Sequence, residues 1–177
     1  MTHGNARLRR PLRIFEDRVE IPLTRGKVAI VDLIDADLAY FNWTTEASQD
    51  GLRWYAHRNG PRPRRECIKL HREIAKRMGL KLNGREVDHH DGDGLNCRRV
   101  NLRRASSGQN KHNARKPRNN KSGFKGISWR QDSQKWQVHI QANKKAHYLG
   151  LFADLSTAVA ARSEAAQRLH GEYARAV

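Results

Sequence analysis

Cysteine is nearly absent: Cys67 and Cys97 are the only two, and they form no C-x-x-C pair. A disulfide framework and a thiolate zinc cluster are therefore not expected, and both residues read as free thiols in a reducing compartment. No apolar run approaches the roughly 18 residues that a membrane helix requires, so no membrane partner is expected. The basic start, Met1 to Pro11, is not followed by an apolar segment, which argues against a secretory signal. Acidic residues are missing altogether from Gly94 through Gln131. Hydrophobic residues make up only 37% of 177 residues, low for one large core and better suited to small modules with shallow cores.

Basic residues are what the chain has in excess. Lys plus Arg number 35 against 18 Asp plus Glu, a net charge of +17, with a pI near 10.8. Such a balance points to a polyanion, most commonly nucleic acid, although a merely solvated basic surface would have the same composition. The stretch without acids carries Arg98, Arg99, Arg103, Arg104, Lys111, Arg115, Lys116, Arg118, Lys121, Lys125 and Arg130. Binding through it would release counterions and weaken steeply with salt.

Along the chain, residues 1–20 read as a basic, mobile arm. Thr24-Arg25-Gly26 separates two apolar stretches and suggests a hairpin. Asp32 to Phe41 fits a short helix or irregular segment, and strands are expected near 52–57 and 66–70. Trp43 and Trp54 read as core rather than base-stacking residues. Leu70, Ile74, Ala75 and Met78 have helical spacing, with Gly79 as the C-terminal stop. Residues 21–84 thus form a small β-rich region, 85–113 a chemical centre, and 114–122 a basic linker containing Pro117. Residues 123–177 form a compact unit of three strands (Phe124–Trp129, Lys135–Ala142, Ala146–Phe152), with a turn at Asn143-Lys144. Its helix, near 155–169, starts at Asp154 and stops at Gly171. Ala158, Ala161, Ala165 and Leu169 share the helix face expected to lie on the sheet.

The centre reads Glu86-Val87-Asp88-His89-His90-Asp91-Gly92-Asp93-Gly94-Leu95-Asn96, then Val100-Asn101-Leu102-Arg103, then Ser107-Gly108-Gln109-Asn110. An Asp and a His end an apolar strand, and glycines permit a tight loop. Val100-Asn101-Leu102 is expected to return as a second short strand. Ser106 or Ser107 can cap a helix bearing Asn110 and Asn113. Phosphodiester hydrolysis needs a base for water, a cation for the phosphate and leaving oxygen, and a group to hold the base. Imidazole suits the first task, and a carboxylate with an amide oxygen suits Mg²⁺ or Mn²⁺. A lone Asp-His pair is commonplace in surface turns; the three-part spacing carries the reading.

Asp88-His89, Asn101-Leu102-Arg103 and Gln109-Asn110 together resemble the HNH nuclease signature, in the His-Asn-Asn form of many phage and intron-encoded homing endonucleases. Ile21 to Lys27 and Leu70 to Ile74 are also similar to that family. The resemblance implies a ββα-metal fold, with His89 as general base. It implies Asp88 and Asn110 as ligands of one divalent metal, Mg²⁺ first and Mn²⁺ second, and Asn101 as the residue that braces the loop and orients the histidine. His90 stands where an aliphatic residue is usual and could compete as base, though strand alternation turns it to the opposite face. Asn113 rivals Asn110, one helical turn away. His71 reads as structural packing near the site more readily than as an active-site contact.

Gly123 to Trp129, Lys135-Trp136, Leu149 to Phe152, Ala158 to Ala166 and Gly171 to Ala174 resemble the ethylene-response-factor-type (Apetala-family) DNA-binding domain. That resemblance implies three antiparallel strands on one helix, with the sheet in the major groove. Gln137, His139 and Gln141 would face DNA, with Lys125, Arg130, Lys144 and Lys145 at the edges, and Arg98, Arg99, Arg103 and Arg104 adding phosphate contacts.

The expected fold is therefore α+β: a small β-rich N-terminal region, a ββα-metal core, and a three-stranded antiparallel sheet packed on one helix. The expected function is a metal-dependent endonuclease on double-stranded DNA, acting as a monomer in the cytoplasm of a bacterial or phage-infected cell. The alternatives are a catalytically silent, sequence-specific DNA-binding regulator and, on charge alone, an RNA-binding protein.

Overall fold

A computed structural model describes residues 11–49, 51–63, 65–113 and 120–174. The protein is α+β and divides into two compact units, one ending at Arg104 and one beginning at Ala105. The sequence instead suggests a break after Asn113. The helix that follows Ala105 packs against the turn Gly171–Tyr173, which joins it to the C-terminal sheet.

The first unit opens with strands β1 (Arg13–Ile14), β2 (Val19–Pro22) and β3 (Val28–Val31), an antiparallel three-stranded sheet in the order β1-β2-β3. Val19 and Ile21 pair across from Val31 and Ala29, and all four are buried. The Thr24–Gly26 turn lies between β2 and β3, with positive φ at Arg25 and Gly26. The arm expected over residues 1–20 is thus partly sheet: Arg13 pairs with Glu20 and Ile14 with Val19. Residues 1–10 of that arm lie outside the described residues. A 3₁₀ helix, Leu33–Tyr40, follows and buries Asp35 and Leu38.

A second antiparallel sheet contains β4 (Thr44–Ala47), β5 (Trp54–Asn59) and β6 (Cys67–Lys69), with β5 central. Helix α1 (Leu70–Arg77) starts at once, buries Leu70, His71, Ile74 and Ala75, and ends before Gly79 at positive φ. Trp43 is core, with its Nε1 donating to Leu38 O at 2.7 Å. Trp54 is only half-buried and carries Arg25 and Lys27 over its ring. Strands β7 (Glu86–His89) and β8 (Leu102–Ala105) form a two-stranded sheet. Val100 does not join β8 as expected; it sits in a 3₁₀ turn, Arg99–Asn101, with its side chain 88% exposed. The loop between β7 and β8 is stitched to β3: Ile30 N donates to Leu95 O and Cys97 N to Ile30 O. Val87, Leu95, Cys97 and Leu102 then share one core with the first sheet.

The second unit begins with α2 (Ser107–His112). Ser106 caps it through a reciprocal pair: Gln109 N donates to the Ser106 hydroxyl, and Ser106 N donates to the Gln109 side chain. Most of the expected linker lies outside the described residues, but its end is structured. Ser122 donates to Phe124 O and Ile127 O, and Asn120 Nδ2 to Phe124 O. Those bonds hold Phe124 in a turn, so β9 starts later than expected. Strands β9 (Ile127–Arg130), β10 (Lys135–Ala142) and β11 (Lys145–Phe152) form an antiparallel sheet with β10 central. Asn143 and Lys144 make the β10–β11 turn with positive φ at both positions. Helix α3 (Leu155–His170) covers one face, capped by Asp154 accepting from Thr157 N and stopped at Gly171. Val138, Ile140 and Ala142 point to α3, which meets them with Ala158, Ala165 and Ala166. Gly126 lies against the backbone of β10, where His139 N donates to its carbonyl and a Cβ would come within 2.3 Å of His139 O. Among the described residues, no helix is long and apolar enough to cross a membrane.

Candidate functional site

The β7–β8 loop is held shut by one amide. Asn101 accepts from Asp91 N at 3.0 Å through Oδ1, while its Nδ2 donates to Asp91 Oδ1 at 3.0 Å and to Asn96 O at 2.7 Å. His90 N donates to Asn101 O, joining the loop's two ends. Asp91 and Asp93 use their carboxylates to turn the chain, accepting from Asp93 N and Leu95 N respectively. Burial opposes ionisation of Asp91, but the hydrogen bonds from Asp93, Asn96 and Asn101 hold its carboxyl below the usual range. Asn101 therefore braces the loop directly, through Asp91 and Asn96. Gly94 is required where it stands, because a Cβ would fall 2.5 Å from Trp54 O and 2.6 Å from the Tyr55 ring.

At the end of β7, Asp88 and His89 are both buried while His90 is exposed. Asp88 Oδ2 accepts from Arg103 Nε at 2.8 Å and lies 2.8 Å from Arg103 Nη2. The His89 ring packs edge-on against His71, with centroids 5.1 Å apart, and 6.0 Å from Tyr55; its Nε2 lies 4.0 Å from the Cys97 thiol. Burial pushes His89 down to about 4, against the pull of the Asp91, Asp88 and Asp93 carboxylates. Burial, reinforced by the charges of His89, Lys69 and Arg72, pushes His71 to about 3. Both rings are thus neutral at pH 7. Burial raises the Cys97 thiol, which makes it inert packing behind the ring.

Among the described residues, no group of three or more His, Cys, Asp or Glu side chains could hold a metal ion. A magnesium site needs no such group: one carboxylate, one amide oxygen and waters supply the hard donors that it takes. Asp88 and the Asn110 amide are of that chemistry. Asn110 is half-buried on α2 in the second unit, and Asn113 ends that helix as a buried C-cap.

Of the basic residues expected to meet DNA, three in the first unit are engaged with carboxylates. Arg98 meets Asp32 and Asp17, Arg99 donates through Nε and Nη2 to the buried Asp35, and Arg103 holds Asp88. Arg104 is exposed. In the second unit, Arg130 is paired with Asp132 and Lys125 Nζ donates to Lys111 O, while Lys144 and Lys145 are exposed at the hairpin turn. Gln137, His139 and Gln141 alternate with the buried residues of β10, so they share the face turned away from α3. Tyr148 pairs with His139 across the strands, and Leu151 with Gln137; both are exposed, and sequence alone did not single them out. Strand register could have found them, had the bulge near Gly150 been foreseen. Arg53 and Tyr55, two residues apart beside the site, were also missed; only their i, i+2 placement at a strand start signals a shared face.

The chain is 37% identical to Protein 3.8 of Escherichia phage T7 over 92 residues, covering 52% of this chain and 75% of that protein. No protein-family profile and no solved structure matches.

Proposed function

The chain belongs to the family of Escherichia phage T7 Protein 3.8, and we propose that it is an HNH-type, metal-dependent endonuclease acting on double-stranded DNA. One observation supports this above the rest: Asp88 and a neutral His89 end β7 beside a loop that Asn101 closes with three hydrogen bonds. A neutral imidazole can accept a proton from water, and a braced loop holds it without reorganisation.

His89 takes the proton of a water in line with the scissile bond. The P–O3′ bond breaks as the new P–O bond forms, leaving a 5′-phosphate and a 3′-hydroxyl whose proton comes from solvent. Asp88 would hold the divalent ion, Mg²⁺ or Mn²⁺; the resemblance names the Asn110 amide as its second ligand. When bound, that ion supplies positive charge to the phosphate and the leaving oxygen. Arg103 fixes the Asp88 carboxylate, and Cys97 and His71 confine the His89 ring. The second unit selects the site by laying the face of Gln137, His139 and Gln141 against base edges. With one such centre per chain, a monomer nicks one strand.

The alternative is a DNA-binding regulator that does not cut. One observation favours it: the Asp88 charge is already met by Arg103. Supercoiled plasmid incubated with Mg²⁺, with EDTA, and with the His89→Ala variant separates the two. The nuclease yields nicked circles only as wild type with metal. Retained binding with intact supercoils under both Mg²⁺ and Mn²⁺ would establish the regulator.

A further inference from the structure

We propose that Arg53, beside Tyr55, is the seat for a backbone phosphate near His89; this deepens the nuclease reading and rests on it for the identity of the phosphate as DNA. Three observations meet at Arg53. Its backbone is fixed on both sides: its N donates to Ser48 Oγ at 2.9 Å, and its carbonyl accepts from Ser48 N at 2.8 Å. Its guanidinium, by contrast, makes no ion pair or hydrogen bond among the described residues, and its Nε is buried without a partner. A buried guanidinium N–H left unmatched is costly, and an anion is the partner that its fork fits.

The surroundings say where that anion sits. Arg53 and Tyr55 line an open cavity of about 410 Å³ with Ser48 and Gln49. The Tyr55 ring stands 5.6 Å from His71 and 6.0 Å from His89. His71 is only 7% exposed, and its Nδ1 also lacks a hydrogen-bond partner among the described residues. The charge of Arg53 reaches the His89 ring, which feels the carboxylates of Asp91, Asp88 and Asp93 as well. The ring thus lies in the field of both signs, yet Arg53 pairs with none of those carboxylates. That division of labour suits phosphoryl chemistry: carboxylates for a cation, and an unpaired fork for a non-bridging phosphate oxygen. Arg53 would then touch substrate, and His71 would act through His89 as a positioning residue.

Two measurements test this on the full chain. In the first, inorganic phosphate is titrated into metal-free protein at about pH 7.5, where both imidazoles are neutral, while the ring nitrogens of His71 and His89 are followed by NMR. Wild type should show saturable shifts that Arg53→Gln abolishes and Arg53→Lys partly restores. Absence of shifts in wild type, or equal shifts in Arg53→Gln, overturns the seat. In the second, plasmid nicking with Mg²⁺ should fall about 100-fold in Arg53→Gln, the scale of removing one preorganised donor to a transition-state charge, with Arg53→Lys between. Arg53-dependent phosphate shifts without cleavage by wild type would sink the nuclease and leave the anion seat standing. Nicking unchanged by Arg53→Gln would sink the seat and leave the nuclease standing.

Discussion

Arg103 brings Nε and Nη2 to the same oxygen of Asp88, each at 2.8 Å. Both side chains are largely buried, at 15% and 4% exposure, so neither charge has water as an adequate substitute. Removing one partner from such a pair costs about 3–5 kcal/mol, because the other is left buried and uncompensated. Arg103→Ala should therefore lower the urea midpoint markedly in EDTA. Added Mg²⁺ should recover part of the loss, since a cation at Asp88 replaces the missing charge. Equal midpoints with and without Mg²⁺ would argue against Asp88 as a ligand.

Asn101 is 7% exposed and uses both ends of its amide. Asn101→Ala leaves Asp91 and Asn96 without those partners, a loss of roughly 2–4 kcal/mol on the scale of unsatisfied buried groups. Asn101→Asp should be worse at pH 7, because a second carboxylate would face Asp91 Oδ1 and Asn96 O. Denaturant melts of the two variants give the order; a milder effect for Asp than for Ala would contradict the bracing geometry.

His71 supplies a pH signature. Its ring is held at about 3 in the folded protein against an ordinary 6.5. Above pH 6.5 it is neutral whether folded or not and contributes nothing to the slope. Between 6.5 and 3 the unfolded chain binds a proton that the folded chain refuses, so stability falls as pH falls, by up to about 1.4 kcal/mol per unit. His89, lowered to about 4, acts in the same direction. Asp132 and Asp154, held near 2, also contribute stability that is lost on acidification, but chiefly below the ordinary carboxylate value of 3.8. Urea midpoints at about pH 7.5, 6.0 and 5.0 should fall less steeply for His71→Phe than for wild type.

The outer sheet face of the second unit predicts a different outcome. Replacing Gln137, His139 and Gln141 together by Ala should reduce preference for a selected site over random duplex, by about 1–3 kcal/mol for each base that is no longer read. The salt dependence of binding should hardly change, because the proposal gives those residues base edges to meet and not phosphates. Fluorescence anisotropy on both duplexes at two salt concentrations measures this. A uniform weakening on both duplexes would remove base reading from that face.

Local signals proved legible where a backbone requirement is written into residue type. Asp154 and Gly171 bound α3, Asn143-Lys144 makes the β10–β11 turn, and Ser106 with Gln109 opens α2. Strands β1 and β4 carried no such mark: Arg13–Ile14 is two residues long, and Thr44–Ala47 shows no apolar alternation. At the candidate site, the strand end that carries Asp88 and His89 was legible in the sequence, but the partners of these side chains were not. For Arg103 and Arg99 the sequence shows charge without showing which carboxylate lies opposite, Asp88 for the one and Asp35 for the other. Arg162 is the opposite case in the second unit: it falls on the alanine face of α3 and is buried there, with Nε and Nη1 unpartnered among the described residues.

Ile30 clasps the Leu95–Cys97 segment from a strand more than sixty residues upstream, and Asp35 receives Arg99 from the other end of that loop. The segment proposed to carry the chemistry is consequently not a cassette. Grafted alone onto another scaffold, the stretch from Glu86 to Asn110 would lack the edge it zips onto and the acid that anchors its return. Chimeras that exchange such motifs must carry their amino-terminal sheet with them.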